Sequence, residues 1–328
     1  MNVISNITET GANLLNQWAE YCGGPYSILI QPDGATQRVL SGNVSTNLIG
    51  FNGSDRVTIN GNYSGAGQYL RFVNTNTAGN VFLLQNGTTD FNLLNCVVEG
   101  QANTTTSTTK GIINIGGTAS NNNIRIAGNK LGSSSYANNV IYSAGAAGDP
   151  NHHITIEDNE IFNFMTWSGG FTRAYGINVT STGNGSYWTI RNNSIYNTGI
   201  NGQNSQCAIN FTPGSSSTND TISGNWIGGS SPQCGTGGAV TYWGNSWDNY
   251  SSGENQVRAI AVNCGTVLLD SNNISNILIS NGDYSGFVGM LIEGSTVATI
   301  TNNVMGTGSN GQPDVSKIIR VNGGGANY

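Results

Sequence analysis

Proton-transfer and metal chemistry has few places to reside in this chain. Of its 328 residues, Asp and Glu supply 17, Lys and Arg 11 and His 2. The densest polar cluster is Asp149, His152, His153, Glu157, Asp158 and Glu160. Two imidazoles beside carboxylates are the raw material of a metal site or an acid–base pair. A second set lies within 228–257, where Asp248 and Glu254 are the only acids we nominate as a catalytic pair. Glycoside cleavage needs two carboxylates about 5–10 Å apart; the ordinary alternative is that both are solvated loop acids. Aromatic residues surround that pair: Tyr242, Trp243, Trp247 and Tyr250, with Phe164, Met165, Trp167 and Phe171 in an earlier segment. They offer two readings, a platform whose rings stack on sugar faces, or a lid that folds down and closes the hydrophobic side of the fold.

What must position these residues is legible in the composition. The chain holds 49 Asn and 47 Gly, and only 9% of it is charged. Asn, Gly, Ser and Thr disfavour helix interiors, whereas the 37% of hydrophobic residues recur in regular β-branched clusters. A net charge of −6 argues against nucleic acid, which needs clustered Lys and Arg. No apolar run approaches 18 residues, so membrane insertion is not expected. Five widely spaced cysteines include no C-x-x-C, so no zinc site is expected, and Cys207 and Cys234 are a candidate loop disulfide.

A repeat runs through the chain as apolar-x-x-Asn-x-apolar, usually preceded by Thr. Its Asn positions are Asn62, Asn129, Asn159, Asn193, Asn225, Asn272 and Asn303, with Cys96 standing in the same place. A second strand signal runs in phase, for example Ile177-Asn178-Val179 and Ile209-Asn210-Phe211. A unit of about 32 residues cannot bury its own apolar face, so units must stack. The expected fold is all-β, a right-handed parallel β-helix of about 8–10 coils forming one domain over 1–328. We expect an N-terminal cap over 1–25, with Leu14, Leu15 and Trp18 on one face of a short helix, and coils over 26–325. The aromatic-rich stretch 228–257 is a loop insertion into one coil.

Stacking turns sequence columns into physical rows about 4.8 Å apart. The recurring Asn then forms a structural ladder, since its amide carries donors and an acceptor and Asn tolerates the left-handed conformation of sharp corners. The same register places Glu157 beside Arg191 and Glu160 beside Lys130, giving both acids exposed cross-strand partners. Adjacent His152 and His153 should point to opposite faces of a strand, so joint metal ligation is not expected. A Thr column (Thr155, Thr189, Thr221) suggests an ice-binding array, but Arg125 and Leu268 interrupt it.

The repeat resembles the right-handed parallel β-helix superfamily. Residues 47–61 (NLIGFNGSDRVTING), with Cys96-Val-Val-Glu-Gly100, Thr155-Ile156 to Asn159 and Trp226-Ile-Gly-Gly229, are similar to segments of large secreted Bacteroidetes cell-surface proteins. The resemblance implies a secreted, extracellular, cell-surface or adhesin-like region of a longer polypeptide with neighbouring domains, while the aromatic segments make a glycan or cell-surface polymer the expected partner. Pectate-lyase-like members gather acids for Ca²⁺ beside a proton-abstracting base. Here the column through Glu157 reads Ala127, Glu157, Arg191, Ser223, Asp270, Thr301, which does not assemble that set. The expectation is therefore a non-catalytic stalk or adhesin with no cofactor. A polysaccharide lyase or glycoside hydrolase is the alternative, and Ca²⁺ enters only there.

Overall fold

Short β-branched runs separated by Asn and Gly corners leave each repeat one solution, a single turn of three strands. One turn is built from Asn122–Ala127, Lys130–Ala137 and Asn139–Ser143, and the next from His152–Glu157, Glu160–Phe164 and Ala174–Thr180. In this computed structural model the turns stack into a parallel β-solenoid with three long sheets of 11, 10 and 10 strands. The structure describes residues 1–11, 13–21, 23–104, 109–164, 173–198, 206–235, 242–245, 257–280, 287–306, 317–322 and 325–327. No helix occurs among them.

The core is a set of inward columns. In the first sheet Ile59, Leu93, Ile126, Ile156, Ile190, Ile222 and Leu269 lie one over another, nearly all fully buried. Strand alternation sends the intervening residues outward. The three faces differ in how that outer side is finished. On the third sheet the outward Cys207, Ala261, Val288 and Leu291 form a second buried apolar cluster with Tyr175 against it. The outer face of the first sheet stays open: Thr189–Arg191 and Val297–Thr301 alternate buried and accessible residues.

At the corner leaving the first sheet, the Asn ladder is saturated. The Asn159 Oδ1 accepts from both the backbone N–H (2.9 Å) and the Nδ2 (3.0 Å) of Asn129, while its own Nδ2 donates to Ile126 O at 2.9 Å. The pattern repeats through Asn193, Asn225, Asn272 and Asn303. Cys96 fills the ladder position one turn earlier, its N–H donating to Asn129 Oδ1 at 2.8 Å. The step from Asn225 to Asn272 spans 47 residues, yet the ladder bond across it holds at 2.9 Å.

Several expectations need correction. Asn62 is outside the ladder: Val97 pairs with Arg71, which sets Leu70 under Cys96. The chain loops out between Gly61 and Tyr69, closed by the Tyr69 N–H bond to Gly61 O (2.7 Å). The N-terminal helix is a strand. Asn13–Asn16 pairs in parallel with Asn47–Asn52, Leu15 and Trp18 pack against the core, and Leu14 is exposed. An available strand edge and Asn at both ends of the segment outweigh its helical spacing of apolar residues. Cys207 and Cys234 are both buried and unpaired; burial pushes the Cys207 thiol up to about 11.

Candidate functional site

The left-handed backbone region suits Asn, Asp and Gly, and a bulky residue there is strained. At the corner leading into the first sheet, successive coils put Arg56, Asp90, Asn123, His153, Tyr187 and Asn219 in it, with φ between 47° and 65°. Inter-coil bonds keep them in one row, such as His153 N–H to Ser186 O and Tyr187 N–H to Thr218 O, both 3.2 Å. His153 and Tyr187 are the two aromatic members. Their rings stack face to face, centroids 4.5 Å apart and 14° from parallel, and Tyr187 is half exposed.

The next residue fixes this shelf. Trp188 is fully buried in the core, 6.1 Å from Phe211 between ring centroids. Its backbone N–H donates to Asp220 Oδ1 at 3.0 Å. Burial pushes the Asp220 carboxyl up to about 7, against the bonds from Ser217, Trp188 and Tyr187 that lower it.

Below the shelf runs a groove of about 460 Å³ lined by Asn92, Asn123, Ile124, Arg125, His153, Thr155, Tyr187 and Thr189. Its floor is one outward column, Asn92, Arg125, Thr155 and Thr189, paired directly from strand to strand. The Thr column is thus real, and the interruptions read from sequence are real too: Leu268 follows Thr221 and precedes Thr299. A second groove of about 450 Å³ lies farther along the same face, lined by Asn219, Asp220, Thr221, Thr266, Leu268 and Thr299 among others.

Glu157 belongs to the next outward column and is clamped by two arginines. Arg125 Nε meets Oε1 at 2.6 Å, and Arg191 reaches Oε2 through Nε (2.7 Å) and a second guanidinium nitrogen (2.6 Å). Burial pushes its carboxyl up, but the bonds and charges of Arg125 and Arg191 outweigh that and hold it below the usual range. The Arg191 pairing follows the register expected from sequence. The Arg125 pairing is diagonal, and Glu157 itself is buried at 3% exposure while its register partner Arg191 is half exposed, as expected. Glu160 does have the expected partner, with Lys130 Nζ at 3.7 Å, and it also accepts from Tyr196 OH at 2.8 Å.

The histidines depart from expectation. The left-handed φ of His153 breaks strand alternation, so the two rings converge, Nδ1 to Nδ1 at 2.6 Å. Burial first, then the neighbouring His153, holds the His152 pKa below the ordinary imidazole value, and Asp149 opposes them. Of the aromatic platform, Phe164 is fully buried in the core. Tyr242 and Trp243 lie in a short strand, Tyr242–Asn245, that pairs with Leu278–Ser280. Trp167, Phe171, Trp247, Tyr250, Asp248 and Glu254 fall outside the described residues.

The groove was hidden in sequence because its rim shares a backbone angle and not a residue type. Comparison of the chain with protein-family models finds no match. A search of curated proteins finds no relative.

Proposed function

We propose that this β-solenoid is a non-catalytic module of a secreted or cell-surface protein, a stalk or adhesin that contacts glycan along the open face of its first sheet. One observation carries the reading: a stacked His153–Tyr187 shelf stands over a polar groove, at backbone positions that favour smaller residues. A pyranose offers an apolar C–H face to an exposed ring and hydroxyls to Arg125, Thr155, Thr189 and Asn92. A lyase or hydrolase working in this groove would need a carboxylate free to move a proton. Glu157 is committed to two guanidiniums instead.

The test is binding to arrayed neutral and acidic polysaccharides, with reducing-end release and unsaturated-product absorbance followed in parallel, with and without Ca²⁺. Tyr187→Ala should lower binding at least ten-fold, and the Trp243→Ala/Trp247→Ala pair should leave it unchanged. Wild-type binding by Tyr187→Ala would remove the shelf from the account. Turnover abolished by Asp248→Asn or Glu254→Gln would replace the reading with the enzymatic one.

A further inference from the structure

The chain has two histidines, and both stand at the same rim. His152 and His153 are neighbours whose side chains a regular strand would send to opposite faces. The left-handed φ of 53° at His153 cancels that divergence and turns the two Nδ1 atoms toward each other, 2.6 Å apart, with the ring planes 78° from parallel. His153 is stacked on Tyr187, and the strand at His152 is held by its N–H bond to Asn121 O at 3.2 Å.

We propose that His152 and His153 chelate a divalent transition-metal ion of the zinc class through their Nδ1 atoms, with water completing an open coordination shell. Zinc–imidazole bonds of about 2.0–2.1 Å at angles between square and tetrahedral span an N···N distance of about 2.9–3.4 Å. At the tetrahedral angle zinc prefers, the N···N distance must open by about 0.8 Å, a rotation about the side-chain torsions of half-buried His152 and exposed His153. Without metal the short contact requires one Nδ1 to carry a hydrogen and the other to accept it. Binding moves that hydrogen to Nε2 of the same ring, so both Nδ1 lone pairs face the ion and the neutral pair keeps its proton count. Imidazole nitrogen selects zinc, copper or nickel over calcium and magnesium. Asp149 lies close enough to act on His152 electrostatically and favours a cation there.

Because no other imidazole exists in the chain, long-range ¹H–¹⁵N spectra of the untagged protein report this pair alone. Titration with Zn²⁺ should move both rings together, to the pattern of metal on Nδ1 and hydrogen on Nε2, saturating at one equivalent. Competition against a chromophoric zinc indicator should show at least ten-fold weaker binding in His153→Asn, a variant whose side chain suits the left-handed φ and keeps the fold. Independent shifts of the two rings, no saturation, or wild-type Zn²⁺ affinity in His153→Asn with an unchanged melting curve would overturn the proposal.

Discussion

At the corner trailing the first sheet, Asn95, Gly128, Asp158, Asn192, Gly224, Ser271 and Asn302 all adopt positive φ, each just before a ladder position. The corner leading into the same sheet makes the same demand on Arg56, Asp90, Asn123, His153, Tyr187 and Asn219. The trailing row answers with small or permissive residues throughout. A Cβ on Gly224 would come within 2.4 Å of Asn192 Oδ1, so even the space there is allotted turn by turn. The leading row places an arginine, a histidine and a tyrosine where Asn would cost less, and the histidine and tyrosine stack over the groove. A backbone requirement met cheaply at one corner and expensively at the other separates architecture from site.

The two corners also differ in what holds them. Amides bind the trailing corner, and amides do not titrate. The leading corner rests on Asp220, whose oxygens take the Trp188 N–H and face the Ser217 hydroxyl at 2.7 Å. That hydroxyl has one hydrogen and a second acceptor, Gly185 O, at 2.6 Å. A protonated Asp220 donating to the Ser217 oxygen leaves that hydroxyl's hydrogen for Gly185 O.

The largest effect belongs to the ladder. Asn193→Ala removes the Oδ1 that accepts from Asn159 N–H and Nδ2, and the Nδ2 that serves Ile156 O and Asn225. Leaving several buried polar groups unpaired should cost about 3–5 kcal/mol in chemical denaturation. A loss below about 1 kcal/mol would show that the row is not what holds the stack.

Asp220→Asn comes next and has the opposite sign. With a folded-state value near 7 against an ordinary 3.8, the folded protein keeps a proton that the unfolded chain releases across that range. Stability should therefore fall as pH rises from about 4 to about 7. The Asn variant can donate to Ser217 and accept from Trp188, so it should flatten this slope. At pH 8 it should be more stable by up to roughly 4 kcal/mol, the full conversion of that shift. A parallel pH profile for variant and wild type would reject the protonated anchor.

Glu157→Gln should cost about 1–2 kcal/mol at neutral pH, since two half-exposed arginines lose a buried partner. Here the carboxyl is held below its usual range, so its contribution is present above the ordinary carboxylate pKa. It is lost as pH falls through the folded-state value. A variant losing nothing at pH 7 would reduce the clamp to a surface ornament.

Much of this was legible in the chain. Asn129, Asn159, Asn193, Asn225, Asn272 and Asn303 announce their row because one side chain recurs at one spacing for one reason. Asn62 carries the same motif but sits where the chain loops out, and a loop of that length shifts the corner onto Leu70. A second row carries the same signal: Asn121 donates to Asn151 Oδ1 at 2.8 Å, and Asn151 to Asn184 Oδ1 at 3.2 Å, at near-equal sequence intervals. The Glu157–Arg125 bond escaped because alignment shows direct neighbours and this one is diagonal. The rim escaped for a deeper reason. Arg, Asp, Asn, His and Tyr share no side-chain chemistry, and only the backbone angle they hold makes them a row.

The claim that the leading corner gives up stability for a site is tested most directly by Tyr187→Asn, through its denaturation free energy. Asn fits the left-handed φ of 65° and gives up only an exposed ring contact. The variant should be as stable as wild type or up to about 1 kcal/mol more stable. A loss of more than about 1 kcal/mol would make Tyr187 a structural member like any other, and the distinction between the two corners would fail.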